Sequence, residues 1–253
     1  MRRQTLFILA IAAALLAACG KANPVPATDE ETTTDMQPGW PGDSTLYGLA
    51  CDGCTDTLLV ILTDTGNDPD TFNILNASRQ QRVFGRPMIG DMLAILLNKD
   101  DPKTADIVID LEELKGDWCY MVKPELRQRA GMTGKVKEEV LPDTLLEELM
   151  QPREYGVSIK SGYTAQPIGR SYRAMTSDEE SPVVYPPLKR YREWHIQNGR
   201  LVLTETRLDS LGNTHAMSSD TADFVLMRRD TLVLRFGSTE QGYYRKAEEK
   251  QEP

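Results

Sequence analysis

Trp194-His195-Ile196-Gln197-Asn198-Gly199-Arg200-Leu201-Val202-Leu203-Thr204 reads as two alternating, largely apolar runs around a two-residue turn. Asn-Gly best tolerates the positive φ angles at both central positions of a type I′ turn, whose twist matches that of two antiparallel strands. The segment therefore predicts a tight β-hairpin. Working outward, Ala222–Met227 and Thr231–Phe236 flank Arg228-Arg229-Asp230 as a second hairpin with a longer turn, and Tyr243-Tyr244-Arg245 supplies a strand to close the sheet.

The residues upstream keep the same rhythm. Thr57–Thr63, Phe72–Leu75, Arg82–Phe84, Met92–Leu97 and Ile107–Leu111 are short apolar, β-branched runs separated by turn residues such as Gly66-Asn67-Asp68-Pro69-Asp70. That spacing predicts a small barrel or sandwich. Pro124–Met150 breaks the pattern: Leu141, Leu145 and Leu149, with Leu146 and Met150, recur at helical spacing, Asp143 stands at an N-cap position, and Pro152 follows as a stop. The expected fold class is mainly β, with a small N-terminal β-barrel and an antiparallel C-terminal barrel interrupted by a helical insertion. No fixed-period repeat is present, which argues against a propeller or solenoid.

Composition narrows the function classes. The 253 residues carry 29 Lys and Arg against 38 Asp and Glu, a net charge of −9, so the chain has no basic footprint for a nucleic-acid backbone. Two histidines leave little scope for His-rich metal sites. The chain also lacks Gly-x-Ser-x-Gly, a phosphate loop, His-Glu-x-x-His and a dinucleotide fingerprint.

Arg2 and Arg3, the apolar stretch Leu6–Leu16 and then Leu16-Ala17-Ala18-Cys19 form a basic n-region, an h-region too short to span a bilayer, and small residues before a cleavage point. Leu-Ala-Ala-Cys resembles the lipobox of bacterial lipoproteins. The resemblance implies removal of residues 1–18 and lipid attachment at Cys19, with several acyl chains giving firm anchoring to the cell outer membrane and a body facing the periplasm. Residues 19–44 are acidic and Pro-rich with few large apolar groups, and read as a tether with a reach of roughly 25 to 30 Å.

Leu114-Lys115-Gly116-Asp117-Trp118, Trp194-His195-Ile196 with Asn198-Gly199, Asp230-Thr231-Leu232-Val233-Leu234 and Tyr244-Arg245 together resemble the lipocalin-like domains of bacterial envelope lipoproteins of Bacteroidetes type. In that family the Trp of Gly-x-Trp opens the first strand and closes one barrel end, which assigns barrel closure to Trp118. Gly48–Cys54 followed by Thr57–Val60 is similar to NlpE-like envelope lipoproteins, a family associated with copper homeostasis and envelope stress. The expected domains are 45–112, a small β-barrel, and 113–247, a lipocalin-like barrel with its insertion at 124–150, followed by a tail at 248–253.

With Cys19 acylated, Cys51, Cys54 and Cys119 remain. Export favours a disulfide, and Cys51 with Cys54 is the entropically easiest pair. The same pair suits redox sensing, and Cu(I) is the metal that so small a soft-ligand set admits. Cys119 reads as a buried hydrophobe. His195 falls on the strand face opposite Trp194 and Ile196, Glu112-Glu113 and Asp178-Glu179-Glu180 read as solvated turns, and Lys189-Arg190-Tyr191-Arg192 reads as strand-edge protection. Asp-Ser and Asp-Thr triplets, above all those holding Ser44 and Ser210, resemble O-glycosylation sites of exported Bacteroidetes proteins. The expectation is a non-catalytic envelope lipoprotein that needs no cofactor, contacts the bilayer through Cys19, and binds a small lipophilic ligand or an envelope protein. The alternative is a Cys51–Cys54 redox or copper-responsive stress sensor.

Overall fold

The computed structural model describes residues 40–63, 66, 68–126, 144, 147, 149–169, 183–209 and 214–247. Cys19, the leader and Ser210 lie outside them, as does most of the expected helix; of its residues, Thr144, Glu147 and Leu149 are described and helical.

The Asn-Gly hairpin forms as its residues require. Asn198 and Gly199 sit at φ 51° and 72°, and β12 (Tyr191–Gln197) pairs with β13 (Arg200–Leu208) from Gln197↔Arg200 outward. The next hairpin joins β14 (Thr214–Arg228) to β15 (Thr231–Phe236) with Arg228 opposite Thr231. Its turn is therefore the two residues Arg229 and Asp230, shorter than the sequence suggests. β15 leads to β16 (Thr239–Arg245), and β16 pairs with β7 (Gly116–Val122) through Arg245↔Trp118. β7 in turn pairs with β9 (Arg153–Ile159), and β9 with β10 (Ala165–Ile168). β8 (Glu125–Leu126) and β11 (Val183–Val184) pair separately; the other eight strands form an antiparallel meander in which the first, β7, pairs with the last, β16, and the bridge Thr164↔Glu193 brings the two ends of the sheet, β10 and β12, together. The result is a nearly closed eight-stranded antiparallel barrel.

The N-terminal strands form a six-stranded mixed sheet in the order β3-β2-β1-β5-β6-β4, comprising β1 (Thr45–Ala50), β2 (Leu58–Thr63), β3 (Asp70–Asn73), β4 (Val83–Phe84), β5 (Met92–Leu97) and β6 (Ala105–Asp110). Asn73 bridges Thr104 at the start of β6, so this sheet curls around Leu59, Ile61, Phe72, Leu93, Ile95 and Val108. Two run ends differ from the sequence reading. The strand through Phe72 stops at Asn73, whose side chain accepts from the Leu75 amide at 2.9 Å and turns the chain into α1 (Leu75–Arg79). β6 stops at Asp110, whose carboxylate accepts from the amides of Glu112 and Glu113 and so caps α2 (Leu111–Leu114).

The outward face of β5 and β6 packs against the barrel. A register shift opposite Leu96 and Leu97 displaces the alternation of β6, leaving Ala105 and Val108 in the small core while Ile107 and Ile109 join the barrel cluster. Phe84 meets Phe224 with ring centroids 5.2 Å apart, and the Gly85 amide donates to Met227 O at 3.3 Å. A Cβ on Gly199 would meet Ile107 Cδ1 at 2.8 Å, so the glycine at the hairpin tip serves both the turn and this close approach. All of these contacts fall at the barrel end that carries the Asn198, Arg229 and Lys115 turns.

Candidate functional site

The end covered by the N-terminal sheet is sealed by Trp118. Its indole is fully buried, Nε1 donates to Leu114 O at 2.7 Å, and the Arg245 guanidinium lies over the ring at 4.2 Å. Two antiparallel strands place them face to face, because Arg245 pairs with Trp118 in register. Gly156 on β9 is required here as well, since a Cβ would collide with the Trp118 carbonyl on the neighbouring strand.

From that seal the barrel interior opens toward the far ends of the same strands, where a cavity of about 320 Å³ lies. Every second residue supplies its wall: Tyr120 two places beyond Trp118 on β7, Val157 on β9, Phe236 at the end of β15, and Thr239, Gln241 and Tyr243 on β16. Tyr120 packs edge-on against Tyr243 at 5.2 Å and against Tyr155 at 6.4 Å. Leu188 and Lys189, just before β12, complete the rim. These aromatic rings are held by a sheet that continues into the sealed core, so the wall is preformed.

One polar cluster interrupts this lining. Asp220 projects from β14, and its Oδ2 accepts from Tyr191 Oη at 2.5 Å and from Lys189 Nζ at 2.9 Å. Burial works to raise the Asp220 carboxyl, but the Tyr191 hydroxyl and the Lys189 ammonium outweigh it and hold the carboxyl below its ordinary value. The bond to Asp220 raises Lys189 in return. The pair therefore stays ionised together across neutral pH. Burial raises the phenols of Tyr191, Tyr243 and Tyr120, which keeps all three protonated and able to donate. Among the described residues, the hydroxyls of Tyr120 and Tyr243 have no hydrogen-bond partner.

The residues singled out by sequence lie elsewhere. Cys51 and Cys54 follow β1 in the N-terminal sheet and are half-buried free thiols, and Cys54 Sγ is held between Cys51 O at 3.2 Å and Val60 O at 3.3 Å. Cys119 is fully buried on β7, and burial pushes its thiol up to about 11. His195 is on the face opposite Trp194 and Ile196, yet only 7% exposed, because Trp40 stacks on it at 3.9 Å and 12°. Burial lowers its pKa, opposed by Asp43. Ser44 is exposed, with its amide and hydroxyl both bound to Asn198 Oδ1. Among the described residues no group of three or more His, Cys, Asp or Glu side chains could hold a metal ion.

Sequence reasoning passed over the cavity residues except as a charged run. Lys189 and Tyr191 are two apart and both reach Asp220, while Arg190 and Arg192 are exposed at the end strand of the sheet. The available signal was the recurrence of Tyr120 with Trp118, and of Tyr243 with Gln241 and Thr239, at a strand period of two.

No family model and no curated protein matches the chain. A solved lipocalin-like protein from Bacteroides thetaiotaomicron VPI-5482 is similar at 17% identity with a TM-score of 0.27, over 52% of this chain and 95% of that one.

Proposed function

We propose that the protein is a non-catalytic binder of a small lipophilic ligand, its barrel borne on a lipid-anchored envelope protein. The observation that carries this reading is the cavity of about 320 Å³, sealed at one end by Trp118 and walled by aromatic side chains at the other. That volume lies at the lower end of the range for small-molecule pockets, about 300 to 1,000 Å³. It suits one acyl chain or a small ring system. Tyr191 and Lys189 hold the Asp220 carboxyl ionised below its ordinary value, which makes it a weak base and favours binding over catalysis. Lipid attachment at Cys19 would place this binder at the outer membrane, with the body facing the periplasm and an envelope protein as a candidate recipient.

Titration with the neutral fluorophore N-phenyl-1-naphthylamine tests the reading. Saturable binding is expected, and Leu188→Trp at the rim should weaken it about tenfold without loss of secondary structure, because a larger side chain there occupies the entrance. Absence of saturable binding, or equal affinity in the variant, overturns it.

A further inference from the structure

We infer that the cavity selects uncharged lipophiles bearing a hydroxyl or carbonyl head, and that the Lys189–Asp220 pair at its rim is the device that rejects both anionic and cationic ones; this rests on the ligand-binding reading above. The head of an amphipathic ligand entering the barrel apolar end first comes to rest beside this pair. The two charges are already matched, with Nζ 2.9 Å from Oδ2, and they differ in setting: the Lys189 side chain is 54% exposed at the rim while Asp220 is 33% exposed.

A carboxylate head would gain from Lys189 and lose against Asp220, and an ammonium head would meet the reverse balance. Either would surrender hydration that the matched pair does not replace. An uncharged head loses far less on entry, and the wall meets its needs. Both bonds to Asp220 arrive on Oδ2, which leaves Oδ1 without a partner among the described residues and able to accept from a ligand hydroxyl. The hydroxyls of Tyr120 and Tyr243 line the same cavity and can donate to a hydroxyl or carbonyl oxygen. The rings that carry these hydroxyls flank the path of the chain below the head, so polar recognition and apolar contact come from the same side chains.

Displacement of bound N-phenyl-1-naphthylamine by 1-decanol, decanoate and decylammonium below their aggregation limits separates the alternatives. In the full protein, decanol is expected to compete at least about tenfold better than either ion. Asp220→Asn removes the carboxylate bonded to Lys189 and should turn the preference toward decanoate. Lys189→Met leaves Asp220 unmatched and should turn it toward decylammonium. Tyr243→Phe should weaken decanol several-fold more than it weakens the fluorophore, whose affinity is titrated directly in the same variant. If the fluorophore binds but an ion is the strongest competitor in the full protein, or if the order of the three competitors is the same in both charge variants, the head-group inference is overturned and the ligand-binding reading stands. If the fluorophore does not bind, both fall together.

Discussion

Arg245 and Trp118, 127 positions apart in the chain, close the barrel as a stacked pair: the guanidinium sits 4.2 Å from the indole centroid and donates to the carbonyls of Glu113, Lys115 and Arg229. Three chain segments, the end of α2, the turn before β15 and the last strand, thus meet on one side chain. Arg245→Lys keeps the charge but loses the planar fork that reaches three acceptors at once. We expect Arg245→Lys to lower the unfolding free energy by about 1 to 2 kcal/mol and Arg245→Ala by about 2 to 4 kcal/mol, since the alanine also uncovers the indole. Urea denaturation checks both, and an Arg245→Ala protein as stable as the parent would remove this residue from the barrel closure.

Asp110 presents the opposite situation, a carboxylate at a cost. It is 1% exposed where the N-terminal sheet passes into the barrel, and burial raises its pKa from 3.8 to about 6 despite its helix-capping bonds to Glu113 and Glu112. Because the folded value lies above the unfolded one, the protonated form favours the fold. This contribution is complete below about pH 4 and is lost as pH rises through about 6. At neutral pH the buried charge therefore costs on the order of 1 to 3 kcal/mol. Asp110→Asn keeps an oxygen for the cap and removes the ionisation. Its stability should be equal to or above that of the parent at pH 7.5, and its profile between pH 4 and 7 should lack the parent's decline with rising pH from this group. A variant that follows the parent's profile would show that the dependence originates elsewhere.

The strands and hairpins were legible because turn chemistry and a period of two are local properties. Asn198-Gly199 and the run Thr231–Phe236 needed no tertiary information. Trp118 is marked in the sequence by Gly116, but its Arg245 partner acts across a sheet whose order local patterns do not specify. The polar cluster was hidden for the same reason. Tyr191 and Asp220 lie on two strands separated by a third, with Lys189 just before the first, and nothing in their spacing along the chain says that one oxygen serves both donors. The end of the Phe72 strand was misplaced because the side-chain bond from Asn73 to the Leu75 amide overrides the β preference of Ile74.

The chain entering the N-terminal sheet is strapped to the β12–β13 turn. Asp43 accepts from the Asn198 amide at 2.8 Å, Ser44 donates to Asn198 Oδ1, and Trp40 covers His195. Burial lowers the His195 pKa, so the neutral ring favours the fold, and this contribution declines as pH falls below its ordinary value of 6.5. Trp40→Ala uncovers the ring and should move its titration upward toward 6.5, followed by the imidazole Hε1 shift in NMR. Asn198→Ala should cost about 1 to 2 kcal/mol, because alanine tolerates the positive φ less well than asparagine does and because the side-chain bonds to Ser44 and Gly42 are lost. An unchanged His195 titration in Trp40→Ala would mean that the indole does not shield the imidazole.

The cysteines separate by reactivity. Cys119 is fully buried and its thiol is pushed up to about 11, so at pH 8 the reactive thiolate is scarce and inaccessible. Cys51 and Cys54 are only half-buried and stand three residues apart at the end of β1. In protein prepared under reducing conditions, iodoacetamide should therefore modify Cys51 and Cys54 within minutes and Cys119 only after denaturation. We further expect protein purified without reductant to carry a Cys51–Cys54 bridge, which would appear in peptide mapping as a protected pair two hydrogens lighter, with Cys119 alkylated after unfolding. Closing so short a loop contributes little stability, at the low end of about 0 to 5 kcal/mol, so reduction should leave the unfolding midpoint nearly unchanged. Detection of a Cys119 bridge to either partner would overturn the local pairing.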